Sequence, residues 1–448
     1  MVMNPFSLKR DMKNPRPRLL VVLTFLLLVS RISTAHPSPH SLVFLYVSPE
    51  RVAIELEIPL PELALVLGDS IQHHPETLTD RMKTELENYI THHINAYSVN
   101  HHPWKVTIEK MRMDKGMYAD STIPYWELVV ALSAIPPEGE STRSFTLAYD
   151  AVMHQVMNHI AFVTINSDWE TGTVHPASDN GAAVIPIAWN LSDHSIHPLH
   201  IHLQQGSWWI GFSSMVLLGM NHIKEGTDHL LFLITLLLPA PLLYYKKRWT
   251  GFGGVRYSLT RLLRIITAFT LGHSLTLLIG ALGIFVVPEK PVEVLIAFSV
   301  LLSAIHAWRP IFPGKEIYVA SGFGCVHGLA FATTLSNLHA SAATMTWSIL
   351  GFNSGIELMQ CLIIASVVPW LILLSRTPAY RWVRVTGALG VSVIASGWMM
   401  ERIIGNNNLL TLLVSDLLPY SMWGISALAL LSLACFWYFK KKALTTVE

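Results

Sequence analysis

Between two apolar runs, Trp208 to Leu218 and Leu230 to Leu243, the sequence reads Gly219-Met-Asn-His-Ile-Lys-Glu-Gly-Thr-Asp-His229. Imidazoles and carboxylates at membrane depth are costly unless they pair, bind an ion or face a wet cavity. Whatever this chain folds into must therefore bring partners to His222, Glu225, Asp228 and His229. Read as one helix at about 100° per residue, Asn221, His222, Glu225, Asp228 and His229 share an arc of about 120°, and Lys224 points elsewhere. One face of one segment then carries a nitrogen and oxygen ligand set.

The chain divides into two halves of opposite character. Residues 36–205 hold 20 Asp and Glu against 8 Lys and Arg, whereas residues 206–448 hold 9 against 17 and are dominated by apolar runs. The net charge of +1 is the sum of these unlike parts, so it gives no reason to expect a nucleic-acid partner. The fold class expected is multi-domain: an exported β-sandwich-like domain followed by an all-α polytopic membrane domain. In the first half, residues 41–48, 51–58, 104–109, 126–132 and 144–149 alternate or run apolar over strand lengths between turn residues. Residues 75–94 read as the one helical insertion.

The second half offers about seven transmembrane helices, near 207–243, 262–285, 292–309, 317–337, 344–374, 385–403 and 420–439. The basic clusters 246–248 with Arg256, Arg261 and Arg264, then Arg309 and Lys315, then Arg376, Arg381 and Arg384, then 440–442, all fall on one side if the first segment starts outside. The segments 207–243 and 344–374 exceed the ~20 residues of a straight crossing, so broken, tilted or re-entrant helices are expected there.

The first 35 residues read as a signal peptide. Lys9, Arg10, Lys13, Arg16 and Arg18 precede the apolar core Leu19 to Val29, and Ser33-Thr-Ala35 offers a small-residue cleavage site before His36. The expected home is a bacterial inner (cell) membrane, with residues 36–205 periplasmic or extracellular and the C-terminus cytoplasmic. Cys325, Cys361 and Cys435 all lie in apolar runs, so the first half has neither a disulfide framework nor a thiolate metal site.

Other membrane segments repeat the polar theme with His273, with the stripe Ser299, Ser303 and His306, with His327 beside Gly324 and Gly328, and with Asn353, Glu357 and Gln360 on one face. A lone His such as His306 reads best as a helix-to-helix hydrogen bond. Imidazoles with carboxylates suit Ni, Zn, Cu or Fe, and a packed polar network without metal is the other reading of the same residues. The first half carries 15 of the 21 His, including His73-His74, His92-His93, His101-His102 and the denser His194-Ser-Ile-His-Pro-Leu-His-Ile-His202. That tract reads either as a metal-capturing segment or as a solvated linker.

The membrane half resembles the HupE/UreJ family of permease-like proteins associated with nickel or cobalt uptake. The resemblance rests on His222-x5-Asp228-His229 followed by a Leu-rich run, Phe269-Thr-Leu-Gly-His273-Ser-Leu-Thr276, Phe323-Gly-x-x-His327-Gly-x-x-Phe331 and Phe352-Asn-x-Gly-x-Glu357. The order and spacing are similar to the larger branch of the family, which has a signal peptide and an exported β domain. The second motif departs from the smaller, nickel-linked members: Gly324 stands where they have His, and no Glu follows nearby. The resemblance implies a divalent metal permease with His222, Asp228, His229, His273, His327 and Glu357 as metal residues. Lipid, the metal ion and a periplasmic protein bound by the β domain are the expected partners. The alternative from residue type and architecture is an intramembrane zinc hydrolase of ceramidase type, with His and Asp holding Zn²⁺ beside an activated water.

Overall fold

The computed structural model describes residues 40–72, 76, 78–117, 124–174, 183–282, 287–336, 340–405, 408–417 and 420–445. The expected signal peptide, the His36 start and the His73-His74 pair lie outside these residues.

The N-terminal region is sheet-rich. β1 (Ser41–Val47) and β2 (Val52–Pro59) form a hairpin; α1 (Leu60–Leu67) and α2 (Asp80–His93) follow. Then come β3 (Ile94–Ser98), β4 (Lys105–Met117), β5 (Pro124–Ile135), β6 (Ser144–Tyr149) and β7 (Ala161–Asp168), and the short β8 (Thr173–Val174), β9 (Val184–Ile187), β10 (Trp189–Asn190), β11 (Ser195–Ile196) and β12 (Leu199–His202). The main sheet runs β4-β5-β2-β1-β7-β8, with β9 also on β7; a second sheet runs β12-β6-β3. β1 alternates buried and half-buried residues along its length, as a one-face-buried strand must. Val43, Leu45, Ile54 and Leu56 of the first sheet share one apolar core with Ile94, Phe145, Leu147 and Ile201 of the second and with Leu86 and Ile90 of α2. Residues of both sheets and of α2 thus share one core. The His194–His202 tract is no linker: it supplies β11 and β12, and His200 and His202 bond Thr146 and Ser144 across the β12–β6 pair (2.9 and 3.2 Å).

The helical region comprises α3 (Trp208–Glu225), α4 (Thr227–Leu237), the hairpin β13 (Leu242–Tyr245) and β14 (Arg248–Phe252), α5 (Val255–Ala281), α6 (Glu289–Trp308), α7 (Glu316–Ser336), α8 (Ala342–Ser375), α9 (Tyr380–Ile404), α10 (Leu409–Leu417) and α11 (Ser421–Thr445). Among the described residues, five helices are long and apolar enough to cross a membrane: Val255–Ala281, Lys290–Trp308, Ala342–Ser375, Tyr380–Ile404 and Ser421–Lys441. The first long apolar segment is broken at Gly226, which caps α3 with extended backbone (φ −71°, ψ 98°). The other, α8, is one continuous 34-residue helix with Pro369 inside it.

Glycine contacts pair the helices. A Cβ on Gly324 would run into the Phe269 carbonyl and one on Gly272 into the Ser321 carbonyl, so α5 and α7 lie in backbone contact, and the register makes them parallel. A Cβ on Gly219 would meet the Phe352 carbonyl and one on Gly355 the Val216 carbonyl, so α3 and α8 form a second parallel pair. The two contacts superpose in sequence: Gly219-x-x-His222 answers to Gly324-x-x-His327, and Phe269-x-x-Gly272 to Phe352-x-x-Gly355. The pairs run in opposite directions. Leu262 and Ile266 of α5 pack with Ile364 to Ile372 of α8, whereas Leu277 packs with Met345 and Ile349. α6 and α9 pack on each other. Six helical segments thus form two three-helix halves of inverted direction, the arrangement in which transporters place sites at the repeat interface.

The sheet region is clasped to the start of the α3/α8 pair. Glu50 accepts hydrogen bonds from Ser341 and Thr344 at the head of α8 (2.9 and 2.8 Å), and Trp169 donates to Ser348 (2.9 Å). Gly211 leaves room for the Trp169 ring, which a Cβ there would meet at 2.6 Å. A buried Arg143–Asp168 pair, bidentate at 2.5 and 2.7 Å, holds the Trp169 turn to β6.

Candidate metal centre

His222 ends α3, His229 begins α4, His273 is central in α5 and His327 central in α7. The break at Gly226 folds Asp228 and His229 back towards His222. A Cβ at Gly226 would stand 2.6 Å from His229 Nδ1 and 2.7 Å from the His222 carbonyl, so this turn requires glycine. The imidazoles converge: ring centroids are 4.6 Å apart for His222–His229, 5.2 Å for His229–His327 and 6.2 Å for His222–His273. His273, His327 and His229 are buried.

Two of the rings have their tautomer set. Asp228 Oδ1 lies 2.9 Å from His229 Nδ1 and also accepts from the His229 backbone N–H. The Phe323 carbonyl lies 2.9 Å from His327 Nδ1. Each acceptor fixes the proton on Nδ1 and leaves Nε2 a bare lone pair, the form in which imidazole binds metal and the outer contact that metal-binding His usually makes. Nε2 of His222, His229, His273 and His327, with Nδ1 of His273, have no hydrogen-bond partner although buried. Unpartnered buried polar atoms are expensive, and several lie close together here. Phe331 and Phe352 stack on each other (4.7 Å) beside His222, and Phe269 and Phe232 flank His327 (5.2 and 5.8 Å). These rings give the cluster an apolar surround on two sides.

Not every expected residue is here. Asn221 and Glu225 are exposed, because the helix break ends the single ligand-bearing face read from the sequence. Glu357 accepts from Thr267 Oγ1 (3.0 Å), six residues or about 9 Å along α5 from His273. The structure therefore gathers four imidazoles with Asp228 behind one of them, and leaves Glu357 apart. Among the described residues, no three His, Cys, Asp or Glu side chains already stand in a metal-coordinating arrangement. Sequence reasoning did not anticipate the Phe323 carbonyl, the apolar surround or the role of Gly226; the Phe323-x-x-x-His327 spacing, one helical turn, was the available signal for the first.

Elsewhere, His159 has both ring nitrogens engaged, whereas His40 Nδ1 and His306 Nε2 are buried without a hydrogen bond but stand apart from one another. His159 bonds Ser41 Oγ through Nε2 (2.8 Å) and faces Glu62 through Nδ1 (3.3 Å). The residue types are those of a hydrolase triad, but Ser41 is 0 % exposed, so this is a core network. His306 accepts from the Ile311 and Phe312 backbone N–H groups and stacks on Phe312, so it braces the turn after its own helix instead of making the helix-to-helix hydrogen bond expected of it. His93 and His154 stack at 4.1 Å, with His93 on Asp150 (2.7 Å), beside a cleft of about 350 Å³.

Residues 199–402 match the family model described as HupE / UreJ protein. This stretch belongs to the HupE/UreJ family. The match covers α3 to α9 almost entirely, and so the whole imidazole cluster and both inverted halves. No curated protein and no solved structure matches the chain.

Proposed function

We propose that this HupE/UreJ protein is a permease for a divalent transition-metal ion of the nickel or cobalt class, seated in a bacterial inner membrane. One observation supports the reading: four imidazoles from four helices, three of them buried, lie near one another with Nε2 atoms that have no hydrogen-bond partner among the described residues, two with their other nitrogen tied down as a ligand's would be. His222, His229, His273 and His327 bind the ion in passage, and Asp228 orients His229 and offsets part of the ion's charge. Mixed nitrogen donors without thiolate allow exchange. Glu357, with the buried and unpartnered Asn353 Oδ1 and Gln360 Oε1, extends the polar set along α8. The inverted halves suit alternating access around a central site. In this reading seven segments span the bilayer, the broken α3/α4 unit and α7 being the two beyond those long and apolar enough alone. The sheet domain is then periplasmic, where it meets the incoming ion or a protein that delivers it, and the C-terminus is cytoplasmic.

The test is ⁶³Ni²⁺ and ⁵⁷Co²⁺ uptake into proteoliposomes holding the full chain or its Asp228→Asn/His229→Ala variant. Saturable uptake that the variant loses, with equal membrane insertion, supports a permease. Equal uptake by both defeats it. One tightly held zinc per chain, lost in the variant with no uptake in either, favours the hydrolase reading.

A further inference from the structure

At the end of the helices remote from the sheet domain, a cleft of about 770 Å³ opens between the β13–β14 hairpin, the start of α5 and the turn before α7. Arg256, Arg261 and Arg264 line it with Tyr244, Tyr257 and Glu316. Glu316 does not neutralise all three. It is bonded to Arg261 (2.6 Å), and His306 Nε2 lies 3.6 Å from the same oxygen. Arg261 is further held by the Leu242 and Pro239 carbonyls (3.3 and 3.4 Å) and sits over the Trp249 ring. It is a fixed wall of the cleft. Arg256 and Arg264 are exposed, two helical turns apart on one face of α5, and among the described residues neither has an acidic partner.

The backbone adds to this field. α5 begins at Val255 after Gly254 with no side-chain cap, and α7 begins at Glu316, so two parallel helices present their N-terminal N–H groups at the same end. Helix N-termini favour anions, and two beside free guanidinium groups favour them more. Guanidinium matches phosphate oxygens in a bidentate way. The cleft has room for a phosphate with the group it is esterified to, and its tyrosines suit a membrane interface. Basic clefts between membrane helices are where anionic headgroups bind.

We propose that this cleft binds a phosphate-bearing anion through Arg256 and Arg264, the anion being an anionic phospholipid headgroup. The proposal is independent of what the imidazoles carry. Native mass spectrometry of the full chain tests it, with short-chain phosphatidylglycerol, phosphatidylcholine and inorganic phosphate each as probe. We expect phosphatidylglycerol to be retained at least fivefold over phosphatidylcholine. Arg256→Gln/Arg264→Gln should abolish that preference, and so should Thr260→Glu, which keeps both arginines and places a carboxylate between them. Inorganic phosphate binding with the same loss would keep the site and assign it to a soluble phosphate. Phosphatidylglycerol retained equally by all three proteins, or no preference in the unaltered chain, overturns the proposal.

Discussion

His159 of the sheet region and the four clustered histidines of the helical region are treated in opposite ways. In the sheet region His159 has both ring nitrogens engaged, on Ser41 and Glu62, and His93 rests on Asp150 and His154. In the helical region His222, His229, His273 and His327 each leave Nε2 without a partner. The same residue type is a strut in one place and a held-open donor in the other. An apolar bilayer makes the second arrangement more costly, which is what the proposed metal site would offset.

Substitutions separate the two roles, and the largest effect should come from His229→Ala. Removing this donor should drop metal uptake to background; it also takes the Nδ1–H partner from Asp228, which is partly exposed and keeps the backbone N–H of residue 229, so the melting temperature should fall less than it does for the fully buried His159. His159→Ala should do the reverse. It strands Ser41 and Glu62 in the core, costing about 1–3 kcal/mol, while uptake per folded molecule stays unchanged. Thermal melts beside uptake assays check both, and a parallel loss of stability and uptake in either would erase the distinction.

Asp228→Asn should be milder than loss of the imidazole. It frees the His229 ring and tautomer, and outer-shell changes of this kind cost about 10–100-fold in metal affinity. Gly226→Ala should act in the same direction and at least as strongly, by pushing a methyl group onto both His229 Nδ1 and the His222 carbonyl. Competition assays against a colourimetric chelator would rank these variants; unaltered affinity in Asp228→Asn would mean that the carboxylate only caps α4.

The smallest expected effect lies in the sheet region. Burial, then the Glu127 and Glu55 charges, push the Glu57 carboxyl up from 4.5 to about 7. The folded state therefore holds this proton more tightly than the unfolded chain. Its contribution to stability is present below the unfolded value and is lost as pH rises through about 7. Glu57→Gln should raise the melting temperature by a few degrees at pH 8 and leave it unchanged near pH 4. Equal shifts at both pH values would show that Glu57 stays ionised.

Much of the fold is legible in the sequence because burial on one face imposes period two. The stretches 41–48, 51–58, 126–132 and 144–149 all fall on β1, β2, β5 and β6. α1 is hidden because Leu60 to Leu67 prolongs the apolar run of β2 and only the flanking prolines mark the change. β12 looks like a linker because its paired partner, β6, lies far back in the chain. In the helical region the chemistry-bearing residues are visible one by one, but their meeting is not. It depends on glycine contacts between α3 and α8 and between α5 and α7, and on a backbone break at Gly226 that helical periodicity cannot register. The Gly-x-x-His recurrence at 219–222 and 324–327 is the sequence trace of that arrangement. Asymmetry is legible there too: the position answering to His273 in the second half is Ile356, so the first half supplies more of the donors.

The most direct test of the central claim is a Co²⁺ titration of the purified full chain followed by visible absorption, beside the His222→Ala/His229→Ala variant. The sheet region's exposed histidines give both proteins the same background. The account predicts one additional equivalent of Co²⁺ in the unaltered chain, with ligand-field bands that the variant lacks and that Ni²⁺ displaces. Identical titrations for the two proteins would contradict it, and would leave the four imidazoles as unpaired packing groups.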